Sequence, residues 1–329
     1  MAYNWLKNSN KENPKWLIHT PIKSWLKQPM LLIGGWWDPH LKGIIDICNK
    51  SMAAGGNPEL HIGPATHLEW WDEVEKLHLN FFNRYLKDNC QKEAYIPKKN
   101  LWNITTNIWA KDQRINSIQS QEISSWSLIT DGSACFNSFE GKLDQNNEGY
   151  GYIELVNDPW RPIPSIGGHL SPKAGIVERS EIDKRLDVAT FTSKPLKEDL
   201  LLEGIPSLEV AVKSDQEGFD LCVCFSIIKE GDREVNQIST GFFRVIGKET
   251  QRWQARKILL QPILATIKPK ERIRISISGS SWPAIGINPG NGQFFCGPPS
   301  PNCSIITIKM NFTQSKFKIL PIFENRDFH

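Results

Sequence analysis

Two short segments of this sequence end an apolar run with glycine and then present one ionisable side chain. The first closes on Gly34-Gly35-Trp36-Trp37-Asp38, the second on Gly63-Pro64-Ala65-Thr66-His67. A carboxylate and an imidazole of this kind can work as a pair. The histidine takes a nucleophile's proton, and the aspartate fixes the tautomer and steadies the imidazolium. Acid before base is also their chain order in α/β-type serine hydrolases, where the serine precedes both. No G-x-S-x-G elbow occurs in residues 1–329, so the acid and base are visible and the nucleophile is not.

The elements that must position this pair follow α/β grammar. A strand over residues 29–33 runs into Gly34-Gly35. A helix over about residues 39–54 carries Leu41, Ile44, Ile45, Ile47 and Cys48 near helical spacing, with Pro39 at its start. Gly55-Gly56-Asn57 stops it. A second strand over residues 59–62 precedes a long helix, about residues 68–87, whose stripe includes Trp70, Trp71, Phe81, Phe82 and Tyr85. Strand–helix–strand of this length is a βαβ unit with parallel strands, which puts Asp38 and His67 on the same C-terminal edge of a sheet. Two strands apolar on both faces need covering helices and neighbouring strands. Residues 1–27 are too polar to supply several more, so the α/β layer reads as incomplete and prone to association.

After about residue 98 the periodicity changes. Short β-rich runs separated by turn signals read as an all-β sandwich: 101–108, 122–128, 187–192, 207–212, 220–228, 241–245, 261–267, 272–278 and 304–311. Residues 272–278 alternate strictly, one face apolar and one polar. Residues 146–180, rich in Gly and Pro, read as a long ordered loop. The expected division is residues 1–95 for the α/β part and 96–329 for the β part.

Composition narrows the class. The 39 Lys and Arg against 36 Asp and Glu leave a formal charge of +3, which gives no footprint for nucleic acid or an anionic membrane. No apolar run reaches membrane-spanning length and the N-terminus lacks a secretory pattern, so a cytoplasmic protein is expected. Seven Cys, an odd number without metal-ligand spacing, read as free and mostly buried thiols. Cys222 and Cys224 should share one face of a strand. Cys296 and Cys303 flank a Pro-rich turn where a disulfide would fit. No phosphate cradle, dinucleotide fingerprint or metal cluster is evident, and no cofactor is expected.

The residues resemble the C-terminal part of the cocaine esterase / X-Pro dipeptidyl-peptidase family of serine hydrolases over roughly residues 20–325. Gly34 to Asp38 is similar to the family's G-W-x-D segment, and Gly63 to His67 to its G-P-W-x-H segment, with Ala65 in place of Trp. Phe81-Phe82-Asn83-Arg84-Tyr85-Leu86-Lys87 resembles the F-F-D-R-x-L-K helix. Asn157 to Gly168 resembles the D-P-x-x-P-x-P-T-x-G-G loop, and Arg185 to Leu200 the start of a C-terminal jelly roll. The resemblance implies an α/β-hydrolase layer followed by a jelly-roll, galactose-binding-like β-sandwich. It also implies Asp38 and His67 as triad acid and base in ester, amide or X-Pro dipeptide hydrolysis.

Each residue has a competing structural role. Asp38 sits where an aspartate caps a helix, a job compatible with a triad. Trp37 beside it is a candidate wall for an apolar substrate pocket. His61 and His78 read as structural. His40 carries no motif, and His169 follows Gly167-Gly168 in a loop that could line a pocket. A chain without the serine should be nearly inactive alone and would need an N-terminal half-protein to supply it, with a small ester, amide or peptide as substrate. The alternative is a non-catalytic β-sandwich binding or assembly module, homo-oligomeric or otherwise, with a vestigial α/β segment. A hydrolase using Cys48 or Cys90 is the weakest reading.

Overall fold

The structure, a computed structural model, describes residues 16–17, 19–87, 99–111, 124–231, 234–292 and 298–323. A short helix α1 (Lys23–Leu26) leads into β1 (Leu31–Trp37), α2 (Leu41–Ala53), β2 (Glu59–Thr66) and α3 (Val74–Leu86), then β3 (Lys99–Asn103) and β4 (Ile108–Lys111). These four strands form one sheet in the order β1-β2-β3-β4, with β1, β2 and β3 parallel and β4 antiparallel to β3. Residues 101–108, expected among the strands of the β region, thus contribute to the sheet that carries the site. The parallel register of β1 and β2 confirms the βαβ reading.

Both strands run further than expected. β1 continues through Gly34-Gly35 to Trp37 and β2 through Pro64 to Thr66. Gly35 is required there: a Cβ on it would lie 2.3 Å from the Ala65 carbonyl oxygen. The register also shifts between Gly35 and Trp37, leaving Trp37 opposite Thr66. α2 covers the sheet with Leu41, Ile45 and Cys48, all buried. α3 behaves differently. It starts at Val74, so Trp70 and Trp71 precede it, and it buries no residue completely. Leu79, Phe82, Tyr85 and Leu86 stay exposed.

The remaining strands are β5 (Ser125–Ile129), β6 (Gly141–Asp144), β7 (Tyr152–Asn157), β8 (Val177–Glu178), β9 (Val188–Ser193), β10 (Leu200–Ser214), β11 (Gly218–Ile228), β12 (Val235–Ile246), β13 (Gln254–Leu259), β14 (Ile263–Ile267), β15 (Arg272–Ser278) and β16 (Ile306–Leu320), with one helical turn, α4 (Ser180–Asp183), before β9. One set of ladders centres on β10 and β16: β13 and β14 flank β10, and β7 and β5 flank β16. The other runs β8-β12-β11-β15-β9-β6. β5 changes partner midway, pairing with β16 through Ser125 and Trp126 and with β6 through residues 127–129, so the two sets join at a corner. Their inner faces meet in an aromatic core, with Phe225 against Phe317 (5.3 Å between centroids) and Phe191 against Phe312 (4.7 Å).

Two expectations change here. The segment 146–180 is not loop throughout, because β7 lies within it and alternates exposed and buried residues. The polar face of β15 is buried as well as the apolar one. Arg274 is covered by α4, where Asp183 accepts from its guanidinium at 3.4 Å, Thr192 Oγ1 at 2.9 Å and the Ser138 carbonyl at 2.8 Å. A buried guanidinium is tolerated when its donors are satisfied in this way.

Candidate active site

Because Trp37 pairs with Thr66, the next residue on each strand, Asp38 and His67, emerges at the same sheet edge. His67 Nδ1 lies 3.4 Å from Asp38 Oδ1. Asp38 is buried, while the His67 ring is mostly exposed on the open side. The separation is long for a formed hydrogen bond, as is common for catalytic contacts before substrate tightens them.

Asp38 is held from three sides. Its backbone N–H donates to the Gly35 carbonyl (3.1 Å), and its carbonyl accepts from Leu41 N–H (3.1 Å), turning the chain into α2. Its Oδ1 accepts the His40 backbone N–H at 2.8 Å, a turn two residues long that precedes the helix; the N-cap position itself falls on His40, so Asp38 does not cap α2 as expected, and the oxygen that faces His67 is the one that closes this turn. From the β region, Gln261 Nε2 donates to the Asp38 carbonyl at 2.9 Å. This bond belongs to a wider seam. Ile104 N–H donates to the Leu264 carbonyl (2.8 Å), and Asn103 Nδ2 and Thr105 Oγ1 bond Thr266 at 2.8 and 2.7 Å. Lys99 pairs with Glu203. Gln261 thus holds the loop that carries the acid, and β14, just after it, holds residues 103–105 at the end of β3.

Below His67, β2 is fixed by packing and charge. A Cβ on Gly63 would lie 2.3 Å from the Trp71 ring, so this glycine lets Trp71 close over the strand. Trp71 then packs edge-on to Trp109 (5.2 Å), which meets Trp102 (5.3 Å). Glu59 receives His61 Nε2 at 3.1 Å and Arg84 at 2.9 Å. Burial would raise the Glu59 carboxyl, but these two partners outweigh it and hold it below the usual range. His61 is thus structural, as its place in the strand implied; His78, on exposed α3, bonds its own helix at Val74 O (2.9 Å).

Trp37 is half-buried against the core, and its indole N–H is buried without a partner among the described residues. His40, which no motif marked, is the residue that sequence reasoning passed over. Its ring centroid lies 4.9 Å from that of His67, and the ligand-capable atoms of Asp38, His40 and His67 lie within 4.8 Å of one another. The available signal was the offset of two residues from Asp38, which becomes proximity only once the chain turns after β1.

The other candidates lie elsewhere. Cys48 lies on the buried face of α2, and burial pushes its thiol up to about 12, which removes the thiolate a nucleophile needs. Cys90 lies outside the described residues, as does Cys296, and Cys303 is a free thiol. His169 Nδ1 contacts Thr240 Oγ1 at 3.0 Å beside Phe242, and burial lowers its pKa to about 4. Thr240 and Phe242 line a cavity of about 10 Å³, together with Cys222 and Cys224, which do share a face. It has room for about one water molecule, and its Thr240 carbonyl accepts the backbone N–H of Gln261 at 3.0 Å.

Comparison with known proteins places the chain. Residues 116–316 match the family described as the X-Pro dipeptidyl-peptidase C-terminal non-catalytic domain, and residues 1–69 match X-Pro dipeptidyl-peptidase of the S15 family. The chain is 22% identical over 300 residues to cocaine esterase from Rhodococcus sp. (strain MB1 Bresler), covering 81% of this chain and 51% of that protein. An α-amino acid ester hydrolase has a similar structure (TM-score 0.70, 19% identity, 90% of this chain and 56% of that one). So does an aminopeptidase from a marine sediment Thaumarchaeota archaeon (TM-score 0.69, 17% identity, 88% and 54%). The chain spans about half the length of each of these relatives. No helix among the described residues is long and apolar enough to cross a membrane. With residues 1–69 and 116–316 both matched, the chain belongs to the cocaine esterase / X-Pro dipeptidyl-peptidase family of hydrolases.

Proposed function

We propose that Asp38 and His67 are the acid and base of a serine-hydrolase triad that transfers the acyl group of an ester, an amide or an X-Pro dipeptide. The observation that carries this reading is the 3.4 Å approach of His67 Nδ1 to Asp38 Oδ1 at the C-terminal edge of adjacent parallel strands. With Nδ1 directed at the carboxylate, Nε2 is left to take the proton of an attacking serine and return it to the leaving group. In this reading the serine comes from protein outside residues 1–329, whether on the same polypeptide or another, and residues 1–329 alone do not turn over substrate. Among the described residues no serine hydroxyl bonds His67. Trp37 walls the acyl pocket once that protein is in place, and its unpartnered N–H finds an acceptor there.

The same reading assigns the uncovered surfaces. β1 is the end strand of its sheet and α3 keeps an apolar face exposed, which suits docking of further strands and helices of an α/β-hydrolase layer. Residues 1–95 carry the acid and base, β3 and β4 (residues 99–111) extend their sheet, and the strands from β5 onward form the jelly roll. A second reading, a binding or assembly module without catalysis, draws on the match of residues 116–316 to a non-catalytic domain.

The test is co-expression with the polypeptide encoded immediately upstream, followed by a fluorophosphonate probe. Labelling of a serine in the partner that requires this chain, and that falls on the order of a million-fold in rate with His67→Ala, is the expected result. Labelling indifferent to His67→Ala, or none in any pairing, rejects the catalytic reading in favour of the module.

A further inference from the structure

We propose that Asp38, His40 and His67 form a binding site for a divalent transition-metal ion of the zinc type. Two imidazoles and one carboxylate are a donor set that suits Zn²⁺ and its neighbours, whereas Mg²⁺ and Ca²⁺ favour oxygen donors. Distances fit the smaller ion. Tetrahedral zinc with nitrogen and oxygen ligands at about 2.0–2.1 Å separates those ligands by about 3.3 Å. His67 Nδ1 and Asp38 Oδ1 are already 3.4 Å apart, a spacing that is poor for a hydrogen bond and good for two ligands of one metal. The third donor, a ring nitrogen of His40, lies within 4.8 Å of the others on an exposed side chain, so a small swing brings it into range.

The site is also built from behind. Asp38 Oδ1 accepts the His40 N–H at 2.8 Å, and Gln261 Nε2 holds the Asp38 carbonyl at 2.9 Å, so the carboxylate is oriented before any ion arrives. The two imidazole rings are tilted by 58° with centroids 4.9 Å apart. They converge on the open side, where solvent can fill a fourth position. Binding of the ion needs no serine and does not rest on the hydrolase reading. Its consequence for that reading is direct. A metal on His67 Nδ1 leaves the ring proton on Nε2, the atom that must accept the serine's proton, so the ion would inhibit rather than assist acyl transfer.

The experiment uses the untagged full chain, metal-free, titrated with Zn²⁺ in a calorimeter and with Co²⁺ in a spectrophotometer. One Zn²⁺ per chain is expected, weakened at least tenfold by His40→Ala and by the milder His40→Gln, and unchanged by His78→Ala, a histidine exposed on α3. Co²⁺ should give d–d absorption without a thiolate charge-transfer band, and Mg²⁺ should not compete. Equal affinity in the wild type and both His40 variants would overturn the proposal. A thiolate band would overturn it by assigning the ion to cysteine, and so would the absence of Zn²⁺ binding to the wild type. Because the readout is binding, a failed labelling experiment with the upstream polypeptide leaves this result standing, and the reverse holds too.

Discussion

The two halves of the molecule bury their apolar surface to different extents. In the β region, β9 is buried along its whole length, and β11 and β15 nearly so, down to the polar side chains. In the α/β layer, β1 ends its sheet, α3 has no fully buried residue, and Leu68, Leu79, Phe82 and Leu86 face solvent. The residues with chemistry to offer, Asp38 and His67, sit on the open half, while the closed half grips the loop beneath them through Gln261. The contrast teaches that the more completely buried part of this chain holds the loop of the part that leaves apolar surface uncovered.

The largest expected effect tests the closed half. Phe317 is fully buried between Trp126 and Phe225, and Phe317→Ala should cost about 3–5 kcal/mol in chemical unfolding. A smaller loss would mean the β region is less closed than its contacts imply. Next is acid sensitivity. Burial lowers the folded pKa of His169 to about 4, against about 6.5 in an unfolded chain, so the unfolded state binds the extra proton between those values. Native stability should fall by up to about 3 kcal/mol as pH drops from about 6.5 to about 4. In His169→Gln that fraction of the slope should vanish.

Smaller effects separate the halves. Gln261→Ala removes one hydrogen bond across the seam and should cost about 1 kcal/mol, with faster amide exchange at residues 38–41 as its signature. Unchanged exchange there would show that the β region does not hold the acid's loop. Phe82→Ser, on the exposed face of α3, should move stability by no more than about 0.5 kcal/mol while reducing self-association in light scattering. A loss comparable to that of Phe317→Ala would erase the contrast.

Much of the site was legible because its signals are local. Glycine closing an apolar run, followed by an acid and later a base, marks the two strands, although both continue past the glycine, and parallel pairing then brings Asp38 to His67. Other features depend on what lies across space. The stripe on α3 reads as a buried helix face, because a sequence pattern does not say whether the surface it fits is present. The Gly and Pro of residues 146–180 hid β7, whose alternation is plain once β16 lies beside it. Arg274 reads as a surface residue on an alternating strand until Asp183 and Thr192 are found against it. His40 reads as featureless until the Asp38 turn lays its ring near that of His67.

The most direct test of the acid–base pairing is the tautomer of His67, read by long-range ¹H–¹⁵N NMR on the metal-free chain at a pH where the ring is neutral. The account expects the proton on Nδ1, facing Asp38, with Nε2 bare, and expects Asp38→Asn to disturb that preference. A bare Nδ1, or the same mixture of tautomers with and without the Asp38 carboxylate, would contradict it.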